Sequence, residues 1–422
     1  MKKRSVQKII ASTLACIVAF GMCGCGSATS EEGAGTSSVA VESSNDESSQ
    51  SVEETVMPTE EEKSEVTITD LAGREVTVSL PVENAYLGYY YENFLAVVGS
   101  DAFTRVKATS LYDTEGYANT LATIYKENVE GYNDMVDVGS TLQDNFDVEK
   151  LIELDCDVAI MGQYQYDAIA DKVNLLEDAG IPVVIIDYST ATEETHIAST
   201  EILGKVFGVE ERANEIIENY KNGMANVRDI VAKISDTKTT FHEFHSVIST
   251  YSEVGVSDFA TYLFGSYLSQ AGADDIAFPL AETVESGRST TLDMEYILDK
   301  DPEAWFIIGG EAANDETDGV VMGYGVSEEN LIASAKGLLS SRPGFENLSA
   351  VKNNQIYCVE NNTLRTLRDY IVIEYIAKVL YPEEFADLDP EKEFEEYCEK
   401  YLPSVPMDGT FLYHLEVEDI QP

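Results

Sequence analysis

The chain has 422 residues, 27 basic and 77 acidic, for a formal net charge of −50. That balance excludes a nucleic-acid binder, which needs a basic footprint for phosphate, and disfavours electrostatic docking on anionic lipid. Apolar residues make up 44%, enough for sizeable cores, and the length suits two domains rather than one.

Met1 to Lys8 is basic, Ile9 to Phe20 is a mainly apolar run, and Gly21, Met22, Cys23, Gly24 and Cys25 follow. A charged start, a short apolar middle and small residues at the cut read as a secretory signal. The middle is too short to span a bilayer permanently. Small residues before a Cys resemble a bacterial lipobox. Cys25 follows small Gly24 whereas Cys23 follows bulky Met22, so cleavage is expected after a signal over 1–24, with lipidation of Cys25. The alternative is a plain secreted protein with two incidental cysteines. Lipid chains would hold the mature protein to the outer face of a membrane. The rest of 25–65 is rich in Ser, Thr, Gly and Glu. It buries too little to offset its chain entropy and reads as a disordered acidic tether.

Beyond the tether, Val66 to Leu80 alternates apolar and polar residues about Gly73, the pattern of a hairpin. Asn84 to Tyr91 reads as a strand running into a loop, and Phe94 to Val98 as a short helix stopped at Gly99. A helical turn over Glu149 to Leu154 precedes a buried strand over Asp157 to Met161. A helix over Tyr166 to Ala179 precedes another continuous apolar strand over Ile181 to Asp187. Strands apolar on both faces and separated by helices indicate a parallel sheet covered on both sides. Val209 to Ile234 puts Ala213, Ile216, Ile217, Tyr220, Met224, Val227, Val231 and Ile234 on one helical face. It predicts a helix of roughly 25 residues, long enough to bridge two lobes.

The alternation then restarts. Strands are predicted over Thr239 to Phe244, Trp305 to Ile308 and Gln355 to Val359. Helices are predicted over Phe259 to Ala271 and Tyr370 to Leu380, with acidic helices from Glu383 to Leu402. The predicted fold class is α/β: two Rossmann-like lobes with mainly parallel sheets, joined by one long rigid helix. The lobes are 66–190 and 237–422, with connecting helices at 191–236 that include the long helix 209–234. Cys156, Cys358 and Cys398 remain in the body at scattered spacing; one disulfide and separate buried thiols are both open.

From about Val66 to Leu402 the chain resembles the class III substrate-binding proteins of ABC importers, the receptors for ferric siderophores, haem and cobalamin. The resemblance rests on the order of several pieces: "VTITDLAGREVTVSLP", "VGSTLQDNFDVEKLIELDCDVAIM", "AGIPVVIID", "LGKVFGVEERANEIIENY", "SQAGADDIA", "LDMEYILDKDPEAWFI" and "ENLSAVKNNQIYCV". It implies ligand held in a shallow cleft between the lobes. The chain departs from the family at Cys156, where Pro is usual, at Asn84, where Arg is frequent, and in a longer insertion over Asp101 to Gly139. Glu149 in "VEKLIELDCD" and Glu295 in "MEYILDKDPE" share a local pattern, one per lobe. The resemblance implies that each pairs with Arg on the permease. Glu is in any case favourable in a first helical turn.

For the ligand, Tyr89, Tyr90 and Tyr91 sit where the first strand ends, and Tyr164 and Tyr166 follow the second. Ligands bind beyond strand carboxyl ends in open α/β sheets, and a phenol offers a flat apolar face with a hydroxyl handle. His245 is the axial-ligand or cleft candidate, with Tyr251 in the loop beyond it; His242, three residues earlier on a strand, points to the other face. Arg365 and Arg368 lie at a strand-to-helix mouth and Arg288 in the loop before Glu295, and all three suit an anionic chelate. Arg105 is expected in an ordinary surface ion pair.

No nucleotide fingerprint or nucleophile elbow is present, so no enzymatic activity is expected. The reading is a lipid-anchored, monomeric receptor with no intrinsic cofactor. It would capture a ferric siderophore, with haem and cobalamin as alternatives, and hand it to an ABC permease dimer with its ATPase. A surface adhesion or wall-interaction lipoprotein of the same fold is the alternative from another class.

Overall fold

The alternation about Gly73 folds as expected. Ser64–Thr69 (β1) and Glu75–Leu80 (β2) pair antiparallel, with Val66 opposite Val78 and Ile68 opposite Val76. Gly73, at φ +77°, supplies the left-handed turn. The computed structural model describes residues 64–115, 119–244, 253–257, 260, 262–283, 289–311, 319–340 and 342–420. The signal, the tether as far as residue 63, Cys25, His245, Tyr251 and Arg288 lie outside the described residues, and the last two residues of the predicted tether, Ser64 and Glu65, open β1 instead.

The first lobe runs β3 (Ala85–Leu87), α1 (Tyr91–Val98), β4 (Val106–Thr109), α2 (Leu111–Glu115), α3 (Asn119–Asn128) and β5 (Val136–Asp137). It continues with α4 (Val148–Glu153), β6 (Val158–Gly162), α5 (Gln163–Asp178) and β7 (Val183–Ile186). The sheet is parallel, in the order β5-β4-β3-β6-β7. Every residue of β3, β6 and β7 is buried, as a sheet covered by helices on both faces demands.

Two helices lead out of it, α6 (Glu193–Phe207) and α7 (Glu210–Val231). The second is unbroken over 22 residues, about 33 Å at the α-helical rise. Its buried face is Ala213, Ile216, Ile217, Tyr220, Gly223, Met224 and Val227. The predicted ends, Val209 and Ile234, stand just outside it.

The second lobe runs β8 (Lys238–Phe244), β9 (Glu253–Ser257), α8 (Leu263–Gln270), β10 (Ala273–Asp275), β11 (Ser289–Asp293) and α9 (Met294–Lys300). Then come β12 (Ala304–Gly309), β13 (Gly323–Tyr324), α10 (Glu328–Ser340), α11 (Ser349–Lys352), β14 (Ile356–Glu360) and α12 (Asp369–Leu380). It closes with α13 (Pro390–Tyr401), β15 (Gly409–Thr410) and β16 (Leu412–His414). Its sheet has the order β10-β8-β12-β14-β16, parallel except for β16 at one edge. Two small antiparallel ribbons, β9 with β11 and β13 with β15, flank it.

The inner core is continuous from one lobe to the other. Phe94, Leu203, Tyr220, Phe264, Phe306 and Ile376 belong to a single apolar cluster that includes the buried face of α7. Separate clusters cover the outer faces of the two sheets. The body's three cysteines are free and buried; burial raises the thiols of Cys156 and Cys398 to about 11. Among the described residues no helix is long and apolar enough to cross a membrane.

Candidate functional site

The loops that follow the strand carboxyl ends of the two sheets meet one another. Asn93, in α1 just after β3, donates its Nδ2 to the carbonyl of Arg365 at 2.8 Å, and its Oδ1 accepts from Leu367 N at 3.0 Å. Glu311, just after β12, crosses to the first lobe, where its carboxylate accepts from Thr120 N at 2.9 Å and Leu121 N at 3.3 Å. Those amides open α3, so the helix dipole and the free N–H groups both favour the carboxylate.

On the first lobe the mouth is shaped by Gln165, which the sequence did not single out. Its buried amide accepts from Gly162 N at 3.0 Å and donates to the Gly88 carbonyl at 3.1 Å. It thereby ties the carboxyl ends of β3 and β6 together. A Cβ on Gly88 would stand 2.3 Å from Gln165 Oε1. A Cβ on Gly162 would stand 3.1 Å from the Tyr164 ring and 3.3 Å from the Tyr90 ring, so Gly88 leaves the space that Gln165 fills and Gly162 lets the two rings come close. A glycine at each of two strand ends was the available signal.

Tyr89 and Tyr164 are half-buried and meet edge to face with ring centroids 5.6 Å apart. Tyr90 lies beneath them at 4.8 Å from Tyr89. Its backbone is left-handed, at φ 59°. Its hydroxyl reaches Ser189 Oγ at 2.9 Å and Asp187 Oδ1 at 3.2 Å. Burial, with Asp187 adding to it, pushes the Tyr90 phenol pKa well up, so it stays a neutral donor.

The remaining candidates separate. Tyr91 does not face the mouth: its buried hydroxyl bonds Thr109 Oγ1 at 2.7 Å and the Ser110 carbonyl at 2.9 Å. Tyr166 packs outward, its ring 4.9 Å from the guanidinium of Arg74, which is paired with Asp70 at 2.7 Å. Arg368, expected at the mouth, is fully buried and grips Glu92 of the first lobe in a bidentate pair at 2.8 and 2.9 Å. Burial works most strongly against its charge, but Glu92, through its charge and its hydrogen bonds, together with Cys398 and Tyr324 raises the guanidinium pKa on balance. The Phe394 ring covers it at 4.4 Å. Arg105 is no surface ion pair either: it donates to the carbonyls of Val82 and Phe207 and lies over the Phe207 ring. His242 is buried with Nδ1 3.1 Å from Asp275 Oδ1. Arg365 does lie at the lobe boundary, half-buried, with backbone φ 68°.

Glu149 and Glu295 are both exposed, in the first turns of α4 and α9. The two helices are built alike. Asp147 caps α4 by accepting from Lys150 N at 3.0 Å, and Asp293 caps α9 by accepting from Tyr296 N at 2.8 Å. A buried Val148 or Met294 then precedes each glutamate.

Two α/β lobes on a continuous connecting helix, with strand carboxyl ends turned toward each other, define a bilobal solute-binding protein. The chain belongs to the periplasmic binding protein family, whose pattern matches residues 90–363. It is similar to an uncharacterized ABC transporter substrate-binding lipoprotein, YvrC, of Bacillus subtilis: 24% identical over 247 residues, 58% of this chain and 68% of that protein. Among solved structures, the TroA-like periplasmic binding protein FepB of Veillonella parvula matches with a TM-score of 0.75 at 28% identity, over 83% of this chain and 100% of that one. The fold is also that of Helicobacter pylori CeuE with Ni(II) bound, at a TM-score of 0.53 and 19% identity, over 80% and 96% of the two chains.

Proposed function

We propose that this solute-binding protein is held outside the cell by lipid on Cys25, captures an anionic ferric chelate between its lobes and delivers it to an ABC permease. The observation that carries the reading is the company at the mouth. The half-buried rings of Tyr89 and Tyr164 stand beyond the strand ends of one lobe, and Arg365 stands beyond those of the other. Aromatic faces gain by covering a flat chelate, and a guanidinium suits its oxyanions. No chemistry on the ligand is needed; burial of apolar surface supplies affinity and a few polar groups fix orientation. The similarity to the B. subtilis lipoprotein supports both the anchor and the ABC partner.

Trp305 is fully buried beside Phe241 in the second lobe's outer core, so tyrosine emission is the better reporter of ligand. Titration with ferric enterobactin, haemin and cyanocobalamin should quench it for the first. Quenching by haemin or cyanocobalamin alone would move the assignment to that ligand, and silence with all three would sink it. The two matched glutamates are proposed to dock on cationic residues of the permease, where complementary charge sets register and on-rate more than affinity. Glu149→Ala and Glu295→Ala should lower uptake severalfold with ligand affinity unchanged. A loss of ligand binding would reassign them to the pocket.

A further inference from the structure

Arg365 holds a left-handed backbone, φ 68°, that glycine adopts freely and a residue with a Cβ does not. Such strain persists only where the surroundings over-determine it, and here they do so from both lobes. The Arg365 N–H donates to the Tyr267 hydroxyl at 3.2 Å. The Arg365 carbonyl accepts from Asn93 across the lobe boundary at 2.8 Å, and Asn93 also takes Leu367 N. The Tyr267 hydroxyl in turn donates to Asp369 Oδ2. Asp369 also takes the Tyr220 hydroxyl of α7 at 3.0 Å and meets His196 Nε2 of α6 at 3.0 Å. Tyr267, Asp369, Tyr220, His196 and Asn93 are all buried. One strained residue is therefore pinned from both lobes, and its partner Tyr267 is tied through Asp369 to both connecting helices. A turn alone needs none of this, since glycine would serve.

Resting on the receptor reading above, we propose that Arg365 is the residue that discriminates ligand charge, and that Asn93 and Tyr267 are its positioning residues. The frame fixes the Arg365 backbone before ligand arrives, so little ordering is left to offset on binding. The frame draws on both lobes for the backbone, while the guanidinium donates to the Asn361 carbonyl of its own loop at 3.5 Å.

The test uses the full chain, with ferric enterobactin as an anionic probe and ferrichrome as a neutral one. Arg365→Ala keeps the strain and Arg365→Gly releases it, so the Gly variant should melt about 1–4 °C above the Ala variant. Both should lose roughly tenfold in affinity for ferric enterobactin and keep that for ferrichrome. Asn93→Ala should show the same charge-selective loss, and adding it to Arg365→Ala should weaken ferric enterobactin no further. Tyr267→Phe, which removes only a hydroxyl, repeats that comparison from the other lobe. An Ala variant as stable as the Gly variant overturns the strain. Equal losses for both probes, or losses that add in the double variant, overturn the positioning. A wild-type chain that binds neither probe overturns the ferric-chelate reading instead; the melting comparison, which needs no ligand, tells that failure from the others.

Discussion

Two carboxyl groups of the second lobe are buried where their charge is least welcome. Glu374 of α12 accepts from Asn226 Nδ2 at 3.2 Å and shares a hydrogen bond with Glu393 of α13. Burial first, then repulsion from Glu393, pushes it up to about 8. Glu360, at the end of β14, accepts from Asn362 N at 2.8 Å and Thr363 N at 2.9 Å, and burial pushes it to about 7. Each binds its proton more tightly folded than unfolded. Their contribution is therefore fully present below the unfolded carboxyl range and is lost as pH rises through the folded values. Stability should fall between about pH 4.5 and 8. Glu374→Gln keeps the shape without the titration. It should be more stable than wild type by about 2–4 kcal/mol at pH 8.5, with no such gain at pH 5. Urea unfolding at the two pH values checks this. An equal effect at both would mean that Glu374 does not titrate in the fold.

At the scale of elements, the long helix and α12 pack closely at a glycine. A Cβ on Gly223 would stand 2.0 Å from Cδ2 of Tyr370. In an exposed helix, replacing Gly by Ala gains about 1 kcal/mol. Here the Tyr370 ring has little room to move, because its hydroxyl donates to Glu393 at 3.0 Å and accepts from Asn219 at 2.9 Å. Gly223→Ala should therefore cost about 1–3 kcal/mol by overpacking, against the propensity. A variant more stable than wild type in denaturant unfolding would place the two helices further apart.

This glycine also marks what the sequence could carry. Six of the eight predicted face positions, Ala213, Ile216, Ile217, Tyr220, Met224 and Val227, are on the buried face of the helix, Val231 is half-buried at its last residue and Ile234 lies beyond its end. A period of three and four survives any packing partner, but nothing local announces that Tyr370 fills the gap. Strands β3, β6, β7, β12 and β14 were legible as continuous apolar runs. The short β4, which carries Lys107, and the two-residue β5 were not. The insertion over 101–139 consequently concealed one edge of the first sheet. At the mouth, Tyr89, Tyr164 and Arg365 could be placed from strand ends alone. The burial of Tyr91 and Arg368 could not, because their partners Thr109 and Glu92 are chosen by tertiary contact. Gln165 was missed for the same reason: its two bonds reach Gly162 and distant Gly88.

The two lobes are held together by ties that cross between them. The shared apolar cluster, the unbroken α7, and the Glu311 and Asn93 contacts all act together. A buried charged tie joins Glu92 to Arg368, bidentate and shielded by Phe394 and Phe411. A buried pair gives little net stability over an apolar replacement, yet removing one partner strands the other charge in a poorly polarisable surround. Glu92→Ala should therefore cost about 3–5 kcal/mol, whereas joint replacement with Glu92→Leu and Arg368→Met should recover most of that loss. Denaturant unfolding of the single and paired variants reads both. If the paired variant were as unstable as Glu92→Ala, the loss would lie in shape rather than in a stranded charge. If Glu92→Ala cost under about 1 kcal/mol, as an exposed pair would, water would have to reach Arg368 and the lobes would part more readily than the shared core allows.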